Sequence, residues 1–223
     1  MNTNRRPRAF FWPALVALLL SGCALGRSTV EITPPSAVNP DGGVDAKIVA
    51  VDDLRKFEAR PDDAGTPSLQ NTSDITDPNI TARAVARKRG GFGTALGDIL
   101  LPSGQSVAAL VRAAARKALA DKGYAVVEAG SPHYATATAL NIDIIQFWSW
   151  FSPGFASVRI DFKGALTLHG AGLLGRDPMT VTSHVTHEGL AIFESDWKDI
   201  VQRGVEDLSQ RIEERIRPAV TGR

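Results

Sequence analysis

The sequence predicts an α+β fold: a two-layer sandwich of a mainly antiparallel sheet with two amphipathic helices on one face, preceded by a leader and a tether. Two periodicities carry the prediction. Between residues 134 and 189 apolar side chains alternate with polar ones, the period-2 signature of half-buried antiparallel strands. Over 103–122 and 197–216 they recur at i, i+3, i+4 and i+7, the stripe of a helix that buries one face. Two helical stripes and one half-wet sheet bury each other as two layers.

In chain order, residues 24–44 are rich in Ser, Thr, Pro, Gly and Asn, with Pro34-Pro35 and Asp41-Gly42-Gly43 as breakers, and read as a flexible tether. Within it Val30 and Ile32 have the spacing of a short edge strand. Ala46 to Val51 is a β-branched strand that exits at Asp52-Asp53. Residues 58–79 are polar, broken by Pro61, Pro67 and Pro78, and read as a disordered loop inside the domain 45–218. Ile80 to Arg89 reads as a second strand with Arg83, Val85, Arg87 and Arg89 on one side. Its basic end, Arg87-Lys88-Arg89, suits either a charged edge strand or contact with acidic headgroups. Gly90-Gly91-Phe92-Gly93 lacks the Gly-Lys-Ser/Thr ending of a phosphate loop and reads as a hairpin turn.

Ser103 to Lys122 is a helix with Val107, Leu110, Val111, Ala114, Ala118 and Leu119 on its apolar face, Ser103 as N-cap and Gly123 as stop. A short strand, Tyr124 to Val127, follows. Three long strands come next: Tyr134 to Trp148, Ala156 to His169 and Thr180 to Gly189. In the middle one Val158, Ile160, Phe162, Leu166 and Leu168 point inward, and Arg159, Asp161, Lys163 and Thr167 outward. A helix from Trp197 to Ile216, capped by Ser195, closes the chain before Pro218.

The beginning of the chain speaks to location. Arg5, Arg6 and Arg8 precede an apolar run from Phe10 to Leu20, which has the layout of a secretory signal peptide over residues 1–22. The run is shorter than the about 20 apolar residues a spanning helix needs. It ends in Leu20-Ser21-Gly22-Cys23, and Cys23 is the chain's single cysteine. This resembles the lipobox of bacterial lipoproteins. The resemblance implies cleavage after Gly22, diacylglycerol on the Cys23 sulfur and an acylated (palmitate-type) N-terminus, so that the membrane is a partner through this lipid. Ala24 rather than Asp in the next position implies, on the same resemblance, the inner leaflet of the outer membrane, facing the periplasm.

Composition narrows the partners. Of 25 Lys+Arg, the three in the leader are lost on cleavage, which leaves 22 against 24 Asp+Glu, a formal −2. That balance gives no electrostatic footprint for nucleic acid. With Cys23 acylated, no thiol is left for a disulfide.

The succession of lipobox, short strand with an acidic exit at Asp52-Asp53, helix over Val107–Leu119 running into Lys122-Gly123-Tyr124, three long strands and an amphipathic C-terminal helix is similar to the YajG family of small outer-membrane lipoproteins. The resemblance implies fold and location. It brings no activity and no functional residues.

No catalytic residues, metal ligands or cofactor motif emerge. His184 and His187 are three apart, which on a strand sends them to opposite faces. Hairpin registry places His184 near Gly164, away from His169, and His133 sits in a Ser-Pro-His turn. There is no Gly-x-Ser-x-Gly elbow. Asp143, Asp161 and Glu188 read as exposed sheet residues. The chain is therefore expected not to be an enzyme.

One segment departs from ordinary patterning. Phe147-Trp148-Ser149-Trp150-Phe151-Ser152-Pro153-Gly154-Phe155 crowds five aromatics around a Pro-Gly turn, where loops are normally polar. Folded back, it would be a satellite cluster of the core. Exposed, Trp148, Trp150, Phe151 and Phe155 would form a tip for a membrane or a partner. Two functions follow: a non-enzymatic, lipid-anchored accessory or assembly factor that docks to an envelope protein, or a module that binds a small ligand or lipid with the aromatic cluster as one wall. A solvent-exposed cluster favours docking, and a concave, covered one favours a ligand.

Overall fold

The computed structural model describes residues 26–89, 94–154 and 157–220. The leader, Gly22, Cys23, the glycine run 90–93 and Phe155 lie outside the described residues. The chain forms β1 (Ser28–Thr29), β2 (Val44–Asp53), a 3-10 turn (Thr72–Thr76), α1 (Pro78–Thr81), β3 (Ala84–Arg89), β4 (Ala95–Leu100), α2 (Val107–Asp121), β5 (Tyr124–Val126), β6 (Thr138–Pro153), β7 (Val158–His169), β8 (Met179–Gly189) and α3 (Glu194–Arg215).

All eight strands join one mixed sheet, with α2 and α3 on one face, so the two-layer α+β sandwich is the fold. Antiparallel pairing dominates by length, in the meander β6–β7–β8 and in β3–β4. The other joins are parallel. The spine is β6. Along one edge it pairs with β7 over nearly its whole length. Along the other it carries two partners in succession: β2 on its N-terminal half, from Ala46↔Thr138 to Asp53↔Ile144, then β3 at Ala86↔Ser149 and Arg87↔Trp150. The sheet is therefore forked, one arm being β2–β5 and the other β3–β4–β1.

Arg55 sits in the crotch of the fork with its side chain fully buried. Its Nε and Nη2 donate to Asp53 Oδ1 and Oδ2, each at 2.7 Å. The remaining N–H groups donate to three carbonyls, Thr81 at 2.7 Å, Ala84 at 2.7 Å and Phe147 at 3.1 Å. All five donors of the guanidinium are thereby used. Phe147 O lies on the stretch of β6 between its two parallel partners, so Arg55 supplies the hydrogen bond that neither strand can.

The main core lies between sheet and helices. Leu140, Ile142, Ile144, Phe147, Ile160, Phe162, Leu166 and Leu168 face Leu110, Val111, Ala114, Leu119, Ile200, Val201, Val205 and Leu208, all buried. The small residues of α2 let α3 approach, and Ser209 Oγ donates to Ala114 O at 3.1 Å between them. α3 comes so close to the sheet that a Cβ on Gly204 would lie 2.7 Å from Phe162 Cγ. α2 stops at Gly123, which adopts φ +88, as a helix C-terminus prefers.

Three local expectations change. The N-cap of α2 is Ser106, whose Oγ accepts from Ala109 N at 3.1 Å, and not Ser103. Gln105 is instead turned to the N-terminal segment. α3 begins at Glu194, ahead of Trp197, because Asp196 rather than Ser195 closes its first turn by accepting from Phe193 N at 2.6 Å. The first residues of the expected Ile80–Arg89 strand form α1, because Asp77 caps Asn79 N and Pro78 fits the first helical turn.

Two segments read as flexible pack onto the fold. In the expected tether, Val30 and Ile32 are buried in the main core. Gln105 pairs its side-chain amide with both backbone groups of Ile32, at 2.9 and 3.4 Å, and Gln202 does the same for Thr33, at 2.9 and 3.2 Å. The polar loop 58–79 lies across the far face of the sheet, where Leu69 is buried with Trp148, Ala84 and Leu100 in a second small core. Proline-rich composition hid both, because a few apolar anchors suffice when each finds a preformed site.

Two substitutions test this construction. Arg55→Met leaves the carbonyls of Thr81, Ala84 and Phe147 without their donor and Asp53 without its partner, and should cost about 3–5 kcal/mol in urea unfolding. A midpoint equal to that of the native chain would refute the role given to Arg55. Gly204→Ala should cost about 1–3 kcal/mol by overpacking against Phe162. An unchanged thermal midpoint would mean that α3 does not bear on β7 there.

Candidate functional site

Strand alternation decides the fate of the aromatic run. β6 continues through Pro153, so residues 147–151 belong to a strand and not to a loop. Successive side chains therefore go to opposite faces. Phe147 and Phe151 point to the helices. Phe147 is buried, edge-on to Phe162 with centroids 4.9 Å apart, and Phe151 packs half-buried at the margin of the main core. Trp148 and Trp150 point the other way. Trp148 is fully buried under the loop 58–79 and the preceding Phe57, whose ring meets it edge-on at 5.8 Å. Trp150 is half-covered and stacks on His184 at 6.2 Å. The exposed four-residue tip is thus corrected: Trp148 has no surface to offer, and Trp150 and Phe151 lie on opposite sides of the sheet.

What Phe151 helps to build is concave. At the end of the sheet where α3 begins, Phe151, Val158, Leu96, Ile192, Phe193 and Trp197 line an open groove of about 800 Å³. Lys88, Arg89 and Glu194 supply its charge. Lys88 Nζ lies 3.6 Å from Glu194 Oε1, and Arg89 donates to Ser68 Oγ at 3.1 Å. Volume and lining match the apolar pockets that hold small ligands, about 300–1,000 Å³. Beside it Phe193 and Leu190 are 67% and 91% exposed. A signal for this site was present in the sequence: Leu190-Ala191-Ile192-Phe193 is an apolar run in the connection between β8 and α3.

The basic run Arg87-Lys88-Arg89 does not form one patch, because the ladder to β4 shifts register between Lys88 and Arg89. Lys88 faces the groove, whereas Arg87 lies in register with Asp98 of β4. Burial, reinforced by the like charge of Arg89, pulls the Arg87 guanidinium below its usual pKa, against the pull of Asp98. Asp98 is itself buried and accepts from Gln70 N at 2.9 Å and Arg27 Nη2 at 3.2 Å.

The polar face of β6–β8 holds the titratable residues. Asp161 is buried, not exposed as its strand position suggested. It accepts from Arg159 Nε at 2.9 Å and Ser152 Oγ at 3.2 Å, and His184 Nε2 lies 3.2 Å from its Oδ1. His184 stands in register with Lys163, one residue from the expected Gly164. Each histidine has a different carboxylate: His133 with Asp45, His169 with Asp143, His184 with Asp161 and His187 with Asp196. His184 and His187 lie on opposite faces. Among the described residues no three His, Cys, Asp or Glu converge in a way that could hold a metal ion. No described helix is long and apolar enough to cross a membrane.

No family model matches this chain, and no curated protein does. Among solved structures, an uncharacterised protein superposes with a TM-score of 0.43 at 10% identity, over 86% of this chain and 97% of that one. Protein XCC0632 from Xanthomonas campestris, of the DUF330 family, does so with a TM-score of 0.40 at 14% identity, over 84% of this chain and 91% of that one.

Proposed function

We propose that this chain is a non-enzymatic, lipid-anchored protein of the bacterial cell envelope that binds the apolar part of a small amphiphilic ligand. The observation that carries the ligand is the groove between the start of α3 and the β6–β7 and β3–β4 ends, walled by Phe151, Ile192, Phe193 and Trp197. Of the aromatic run Phe151 reaches this groove, beside Phe193 and Trp197, and a concave apolar wall favours a ligand over a docked partner protein. The charged groups at the groove, Lys88 and Arg89 against a single Glu194, favour an anionic or polar head beside an apolar tail. Support for the anchor is the leader that ends at Leu20-Ser21-Gly22-Cys23. Placement in the outer membrane, and membership of the YajG-like lipoproteins, rest on Ala24 and on the order of elements.

Each half has its own measurement. Growth with labelled palmitate should label the native protein, and Cys23→Ser should lose the label and keep the leader. Label retained in Cys23→Ser would overturn the anchor. A fluorescent long-chain fatty acid should bind the unacylated mature chain, and Ile192→Glu, which places a charge in the groove wall, should weaken it at least tenfold with an unchanged circular dichroism spectrum. Equal affinity would move the ligand elsewhere or remove it.

A further inference from the structure

Resting on the reading of Cys23 as the lipid-bearing residue, we infer that the domain does not float on a leash but sits on the bilayer that carries its anchor. Its contact face is the Leu190–Phe193 loop with the start of α3, so that the groove opens at the membrane surface.

The chain between anchor and domain has little slack. Gly26 N donates to Leu96 O at 2.6 Å, and β1 continues the attachment by pairing Ser28 with Ile99 and Thr29 with Leu100. The two backbones cross so closely that any side chain on Gly97, at φ +148, would collide with the carbonyl of Gly26. Arg27 holds the same point from its side chain, with Nη2 2.5 Å from Asp74 Oδ2 and 3.2 Å from Asp98 Oδ2. The glutamine clamps on Ile32 and Thr33 follow. From Gly26 to Thr33 the chain is thus fastened at every second or third residue. Cys23 lies three residues before Gly26, a span that covalent geometry limits to about 11 Å.

That short span starts beside the groove. Leu96, whose carbonyl holds Gly26, is also a wall residue of the groove. An anchor within about 11 Å of this point brings the groove's end of the domain to the bilayer, and not the opposite end at β5. This end also presents apolar side chains to solvent. Leu190 and Phe193, three positions apart in one loop, are among the exposed large hydrophobic residues, and Phe193 is the one aromatic among those described. Val38, Val49, Leu54, Ile145 and Val220 lie on other segments and include no aromatic. Apolar side chains flanked by Lys88 and Arg89 suit an interface where hydrocarbon meets anionic headgroups. Because the anchor keeps the loop close to the membrane, even a weak contact is populated.

The test needs no cellular acylation. The mature chain from Cys23, made without lipid, carries a single thiol. It can be coupled to maleimide-headgroup lipid in vesicles of phosphatidylethanolamine and phosphatidylglycerol. Amide hydrogen exchange across residues 190–197 should slow at least tenfold on coupling, while exchange in β5 and in residues 128–137 stays as in the free chain. Leu190→Ser, outside the groove lining, should reverse most of the slowing without changing coupling yield or circular dichroism. Unchanged exchange at 190–197, or protection at the β5 end, overturns the seating. An unaffected Leu190→Ser variant overturns the contact face. Neither result depends on palmitate labelling or on fatty-acid binding in solution, so a failure here is separable from a failure of the anchor or of the ligand.

Discussion

At the guanidinium of Arg55 two strands that share one edge of β6 part company, and the sheet depends on how that gap is closed. β2 leaves β6 after Ile144 and β3 joins it at Ser149, so the intervening backbone has no ladder partner on that side. Five N–H donors in a rigid plane meet Asp53, Thr81, Ala84 and Phe147 at once. A lysine could not reproduce this, because its three donors radiate from a point instead of a fork. Burial of an unpaired guanidinium would be prohibitive, whereas a fully satisfied one specifies the junction without ambiguity. The two arms of the sheet and the loop that straps the far face all refer back to it.

From that junction β6 governs both faces. Its inward residues carry the helices through Phe147 and its contact with Phe162, and its outward residues carry the strap through Trp148 and its contact with Phe57. Such a strand cannot display a cluster of aromatics on one surface, however dense they are in sequence. The apolar surface that does remain concave arises where elements end: the last residues of β6, the first of β7 and the loop into α3 diverge, and no described side chain fills the space. The ligand reading rests on this divergence, and the membrane seating on the attachment of Gly26 beside it.

How much of this the residues announced differs by element. The stripes over Val107–Leu119 and Trp197–Ile212 and the alternation in Val158–His169 are local repeats that burial enforces, so the two helices and the meander were legible. β4 was not: it carries Gly97 and buried Asp98, and becomes a strand through its neighbours β3 and β1. Asp161 read as wet because alternation names a face and not what covers it; Ser152, Arg159 and His184 come from three strands to meet it. The groove had a trace in Leu190-Ala191-Ile192-Phe193, but an apolar run in a connection does not say whether it fills a core or lines a cleft.

The sequence by itself determined the two helices, the inward and outward faces of the long strands and the lipobox-like Leu-Ser-Gly-Cys, because each is a property of neighbours in the chain. Only the tertiary structure decided that residues 26–33 are fastened and not free, that the polar loop covers Trp148, and that Phe151 lines a groove while Trp150 lies on the other side of the sheet. Those outcomes depend on partners far away in sequence, such as Gln202 for Thr33, Asp98 for Arg27 and Phe147 for Arg55. Local composition holds no information about which distant group will satisfy a backbone amide or cover a ring, and that satisfaction separates an ordered segment from a flexible one.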